Sequence, residues 1–331
     1  MRDFVAFTLA RSHRLELPIL TSPGTALLPG VTVRQMVSDA ETQAAVVRAL
    51  HARFQLPVVL SAMDLSAEAE AFGSEVQLSD NEVPTVVGRR VTSREDVERL
   101  AVPVPGAART GVALETVRRL RELPGQPFVF GGMIGPFSLA ARLCGVSEAL
   151  GLTVEDPGWV HAVIDKATAF LLAQARAFRT AGADGVVMAE PTAGLLSPRA
   201  LADFSSAYVQ RIAAAVDAPE FTVVLHNCAA KLLHLPAVLA AGTRVVHFGA
   251  PMDLPKAVEQ VPATTVVAGN LDPSRVFVQG TPETVATATR ELLAAAGGRR
   301  NFVLSSGCDL PPPTPLANLE AFFATARDGR G

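Results

Sequence analysis

Seven short, almost wholly apolar runs punctuate this chain, at residues 56–60, 127–134, 184–189, 221–226, 243–248, 264–269 and 301–305. Each is five to eight residues long and rich in β-branched side chains. A near-continuous apolar run, rather than an alternating one, describes a strand covered on both faces, the habit of parallel sheets. Between the runs lie amphipathic stretches with helical spacing, at 32–54, 157–181, 197–216, 251–261, 281–296 and 314–326. In the first, Val33, Met36, Val37, Ala40, Ala44, Val47 and Leu50 recur every three or four residues, the spacing of one helix face. Strand alternating with helix means βα units, and seven or eight of them predict an α/β fold of the (β/α)8 TIM-barrel type. The 331 residues fit one such domain over 1–331. An open, doubly wound sheet is the alternative, weakened because no G-x-G-x-x-G follows a strand. Residues 85–107 read as an irregular connection over the barrel's outside, and 327–331 as a fraying tail.

Composition narrows the partners. Hydrophobic residues make up 49% and charged residues 18%, enough to build a sizeable core. The net charge of −3 comes with no basic stripe, so nucleic acid is not an expected partner. No apolar run reaches the roughly 20 residues of a membrane helix. The opening Met1-Arg2-Asp3-Phe4 lacks a leader pattern, so a cytoplasmic protein is expected. Three cysteines in a reducing compartment suggest burial or metal binding, not a disulfide framework.

Active sites of βα barrels lie at the C-terminal ends of the strands. Reading the residues that end each run gives Asp64, Gly135-Pro136, Glu190-Pro191, His226-Asn227-Cys228, His247, Asn270-Leu271-Asp272 and Gly307-Cys308-Asp309. His226 and Cys228 are two apart, so in extended chain they point the same way. Cys308 ends the last run and can meet them at the barrel mouth. Two thiolates and one imidazole suit Zn²⁺, with a fourth position left for substrate. Two of the three as ordinary buried groups is the bland reading. Cys144 sits in an apolar helical stretch and reads as a buried thiol. His234 reads as a helix-end histidine or a spare ligand. Asp64 and Glu190 are candidate catalytic carboxylates, against a helix cap and a rim acid respectively. Asn270, Asp272 and His247 are candidate cofactor-binding residues, although Asp before Pro273 also makes turns.

Taken in order, several motifs resemble the uroporphyrinogen decarboxylase superfamily, from about Pro18 to Phe323. They are Asp64 with Glu68-Ala69-Glu70-Ala71-Phe72-Gly73, Gly135-Pro136-Phe137-Ser138-Leu139-Ala140, and Ala181-Gly182-Ala183-Asp184 before Glu190-Pro191. Gly269-Asn270-Leu271-Asp272-Pro273, Gly280-Thr281-Pro282-Glu283 and Ser306-Gly307-Cys308-Asp309-Leu310-Pro311 complete the series. The resemblance implies a (β/α)8 barrel. The decarboxylases carry an N-terminal arginine-rich segment that Arg11-Ser12-His13-Arg14 does not match. They place a His where Cys308 stands and a Tyr where Arg142 stands. His226, Cys228 and Cys308 instead match the zinc ligands of the methylcobamide:thiol (coenzyme M-type) methyltransferases, with Ala229 where Gly usually follows.

That branch implies a zinc-held thiolate acceptor attacking the methyl group of a methylated corrinoid (methylcobalamin), the electron pair staying on cobalt as Co(I). Free thiols, with pKa near 8.5, need such help at neutral pH. The corrinoid is expected on a separate carrier protein, and the other partner is a small thiol: coenzyme M, homocysteine or another. A uroporphyrinogen decarboxylase-like decarboxylase and a non-catalytic corrinoid- or metal-binding barrel are the alternatives. The latter would close the zinc site with a fourth protein ligand.

Overall fold

A computed structural model describes residues 2–328. The strands are β1 Val58–Leu60, β2 Glu75–Gln77, β3 Thr85–Val87, β4 Phe128–Ile134, β5 Gly185–Ala189, β6 Thr222–Asn227, β7 Val245–Phe248, β8 Val266–Leu271 and β9 Phe302–Ser306. Seven of them form one curled parallel sheet in the order β1-β4-β5-β6-β7-β8-β9. Each of the seven apolar runs overlaps one of these strands, and helices fill the intervals between them. At the β9 edge an eighth segment joins by a parallel bridge between Glu16 and Leu304. Leu17 N–H donates to the Leu304 carbonyl (2.8 Å), and Leu304 N–H to that of Leu15 (3.0 Å).

The sheet has an apolar layer on each face, which explains the continuous runs. Outward residues such as Val59, Val129, Val186, Val223, Val246 and Val267 join the helices in the larger core. Inward ones, including Val58, Leu60, Phe128, Phe130, Val187, Val224, Val245, Val266 and Val303, form a second core with Leu15, Leu17 and Ile19. Helix Phe4–Ala10, capped by Asp3, sets Phe4 against this inner core. The Phe4 ring meets Phe128 and Phe130 edge-on at 5.3 and 5.1 Å. Such edge-to-face pairs add about 0.5–1.5 kcal/mol each beyond burial.

Two expectations need correction. Within 85–107, Thr85–Val87 pairs antiparallel with Glu75–Gln77, and Arg94–Arg99 is a helix opened by a Ser93/Asp96 capping box. The hairpin's side chains are exposed or half-buried, so no apolar run announces it. Arg327 does not fray: it continues helix Leu316–Asp328 and pairs with the buried Glu16 (2.6 Å). Residues 329–331 lie outside the described part. Among the described residues no single helix is long and apolar enough to cross a membrane. Helices Pro136–Cys144 and Val146–Glu155 reach that composition only jointly and are bent by 106°.

Candidate metal centre

Parallel pairing sets His226 beside His247 and Asn227 beside Phe248. On the inner face, positions two apart succeed each other along each strand. Above the apolar layer of Val224, Val245, Val266 and Val303 stands a layer with His226, His247, Ala268 and Ser305. One step further toward the mouth come Cys228, Gly249 and Asn270. The strand parity that carries Val303 and Ser305 inward would give Gly307, not Cys308, the next inward place. The chain bends after Ser306, and the bend brings Cys308 to the other two ligand candidates.

The ligand atoms of His226, Cys228 and Cys308 all lie within 4.8 Å of one another. His226 is buried, and both cysteines are partly exposed toward the mouth. Its Nδ1 meets His247 Nδ1 at 2.8 Å, while its Nε2 is buried with no hydrogen bond of ordinary geometry. Nε2 is nonetheless close enough to Cys308 for the imidazole to pull that thiol's pKa down. A larger opposing effect comes from Cys228: donation to Cys228, with burial, pushes the Cys308 thiol up to about 12. Cys228, accepting, is shifted below the ordinary thiol value. Two adjacent thiols beside a buried imidazole nitrogen with no hydrogen-bond partner make a converging set of metal-type donors. A buried polar atom left unpaired costs about 1–3 kcal/mol, which a cation there would relieve. The residues fit a metal ion, and two sulfurs with one imidazole favour Zn²⁺ among the common divalent metals.

The other candidate residues have protein partners. Glu190 is fully buried; its carboxylate accepts from Phe137 N–H (3.0 Å), Ser138 N–H (2.8 Å) and Ser205 Oγ (3.1 Å). It thus occupies the N-terminus of helix Pro136–Cys144, although burial raises its pKa. Asp64 accepts from Ser66 N–H (3.1 Å) and Oγ (2.6 Å) and pairs with Arg109. Asn270 Nδ2 donates to the carbonyls of Gly249 (3.0 Å) and Met252 (2.8 Å). Asp272 caps the following helix by accepting from Ser274 and Arg275 N–H (2.9 and 2.8 Å). His234 is buried and bonded on both ring nitrogens, to Lys231 N–H (2.9 Å) and the Leu196 carbonyl (3.1 Å). His247 lies beside His226, buried away from the mouth. Cys144 is a buried thiol, pushed up to about 12 by desolvation.

Gly249, which no motif singled out, holds the Cys228 backbone in place. A Cβ at Gly249 would lie 2.1 Å from the Cys228 carbonyl oxygen and 2.7 Å from its Cα. Backbone cannot swing aside as a side-chain tip can. Gly249→Ala is therefore expected to displace Cys228, costing about 1–3 kcal/mol of stability and at least about 10-fold in zinc affinity. Chelator competition and thermal unfolding of the variant read both; unchanged affinity would show that the close approach does not position the thiol.

Comparison with known proteins agrees with this frame. The uroporphyrinogen decarboxylase (URO-D) family model matches residues 23–329. A methylcobamide:CoM methyltransferase (MtbA) of Methanosarcina acetivorans is 30% identical, over 94% of each chain. A uroporphyrinogen decarboxylase of Psychromonas ingrahamii is 27% identical, over 82% of this chain and 78% of its own. Among solved structures, a methyltransferase from Methanosarcina mazei superposes with a TM-score of 0.87 at 24% identity, covering 98% of this chain and 97% of that one. That last likeness speaks for the fold alone. The chain belongs to the uroporphyrinogen decarboxylase family, and within it to the branch of the methylcobamide:CoM methyltransferases.

Proposed function

We propose that this enzyme is a zinc-dependent methyltransferase that takes a methyl group from a methylated corrinoid, carried by a separate protein, to a small thiol. The observation that carries the reading is the buried, unpartnered His226 Nε2 facing two cysteines, in a chain whose relatives use methylcobamide. His226, Cys228 and Cys308 would hold the zinc. When bound there, zinc supplies the positive charge that deprotonates an acceptor thiol near neutral pH. The chain's own residues do the positioning. Cys228 and Cys308 face the mouth, where a corrinoid on a carrier protein can approach, and His226 stands below them in the dry interior. Phe4, Phe128 and Phe130 fill the opposite end, so substrates enter from the mouth. The reading includes a closed (β/α)8 barrel in one domain, with the segment around Glu16 standing between β9 and β1. In support, Leu15, Leu17 and Ile19 share the inner core with Val58 and Leu60.

The test is to supply zinc-loaded protein with methylcobalamin and a panel of thiols, coenzyme M and homocysteine among them. Methyl thioether is expected, with matching loss of methylcobalamin absorbance. No thioether from any thiol, with or without a corrinoid carrier protein, would return the decarboxylase reading to first place.

A further inference from the structure

One hydrogen-bond chain runs from the candidate metal ligand to the barrel wall. His226 Nδ1 meets His247 Nδ1 (2.8 Å), His247 Nε2 meets Ser305 Oγ (2.7 Å), and Ser305 Oγ meets the Leu17 carbonyl. All four residues are buried, and the two imidazoles stand edge-to-face at 4.6 Å. The direction of the chain follows from its far end. A carbonyl oxygen only accepts, so Ser305 gives its single proton to Leu17. Ser305 can then only accept from His247, which must carry Nε2–H. A neutral His247 with its proton on Nε2 presents a lone pair at Nδ1. His226 must therefore donate from Nδ1, which leaves the lone pair on Nε2.

We propose that His247 and Ser305 are positioning residues: a relay anchored on Leu17 that holds His226 in its Nδ1–H tautomer, with the Nε2 lone pair aimed at Cys228 and Cys308. The opposite tautomer would point an N–H where a ligand must offer electrons. The relay spans three parts of the sheet, β6, β7 and β9, and ends on the N-terminal segment that pairs with β9. Its effect on metal affinity rests on the zinc reading above; the tautomers themselves do not.

Two measurements keep those apart. Long-range ¹H–¹⁵N correlation of the zinc-free protein, with histidines assigned by single substitution, is expected to show His226 protonated at Nδ1 and His247 at Nε2. The reverse assignment, or tautomer averaging at His226, overturns the relay whether or not zinc binds. The second measurement is zinc affinity by chelator competition on folded variants. Ser305→Ala and His247→Leu are each expected to weaken zinc by about 10–100-fold. Ser305→Thr keeps the hydroxyl and His247→Gln keeps an acceptor, so both are expected to stay within a few-fold of the parent. Equal losses in the conservative and non-conservative variants would mean that packing, not proton placement, is what these residues supply. A parent protein that binds no zinc but shows the expected tautomers would sink the metal reading and leave the relay standing.

Discussion

Cys308→Ala is expected to lose zinc and methyl transfer together. Outer partners of metal ligands cost about 10–100-fold in affinity when removed, so loss of a direct sulfur ligand from a three-residue set should exceed about 100-fold. Metal content of the purified variant should fall from about one zinc per chain to a small fraction of that. The fold should persist, because Cys308 follows the end of β9 and is partly exposed, outside both apolar cores. Circular dichroism and unfolding temperature close to the parent's would confirm that the loss is local. Cys228→Ala should behave alike, whereas Cys144→Ala, which empties a site in the outer core, should lower stability and spare zinc. A Cys308→Ala protein that retains stoichiometric zinc and methylates thiols at the parent rate would remove the metal centre from the mechanism.

Glu68→Gln is expected to stabilise the protein strongly at alkaline pH and little at acid pH. Glu68 lies in helix Ala67–Ala71, is 3% exposed, and accepts from Ile134 N–H (3.2 Å) through one oxygen. Its other oxygen has no hydrogen-bond partner. The nearby Arg109 is engaged by Asp64 and, at 2.8 Å, by Glu70. Burial, reinforced by the charge of Asp64, raises its carboxyl from 4.5 to about 8, the opposing pull of backbone donors being smaller. Below pH 4.5 the proton is bound in folded and unfolded chains alike, so nothing is lost. From there to about pH 8 the unfolded chain releases it and the folded chain does not, and stability falls by about 1.4 kcal/mol per pH unit. The loss then levels off at an upper limit on the order of 5 kcal/mol. Glutamine keeps the acceptor for Ile134 and removes the ionisation. Urea unfolding of both proteins at about pH 5 and about pH 9 should show a gain for the variant confined to the higher pH. An equal difference at both would mean that Glu68 does not titrate in this window.

Much of this was legible in the residues because two periodicities carry it. Runs such as 221–226 and 264–269 are largely apolar because the strands that overlap them have helices on one side and the inner face of the curled sheet on the other. The i, i+2 spacing by itself puts His226 and Cys228 on one face. Local chemistry is legible too: an Asp directly before Pro273 has the character of a turn residue, and Asp272 caps a helix. What sequence could not supply was anything set by contact between distant segments. Glu190 and Asp64 look alike as acids at strand ends. Only packing shows that one is tied to a helix terminus and the other to Arg109. The hairpin at 75–87 carries no apolar run, so no periodicity reports it.

The sequence by itself determined the parallel α/β architecture and the ligand types, since burial on two faces and the donor atoms are written residue by residue. The tertiary structure alone decided that a bend after Ser306 brings Cys308 to His226 and that Gly249 leaves room for Cys228. It also decided that His247 serves His226 from the neighbouring strand. The reason is physical: strand parity is a local rule, but the cluster of His226, Cys228 and Cys308 is made by segments some eighty residues apart, and only the packed, curled sheet fixes how they meet.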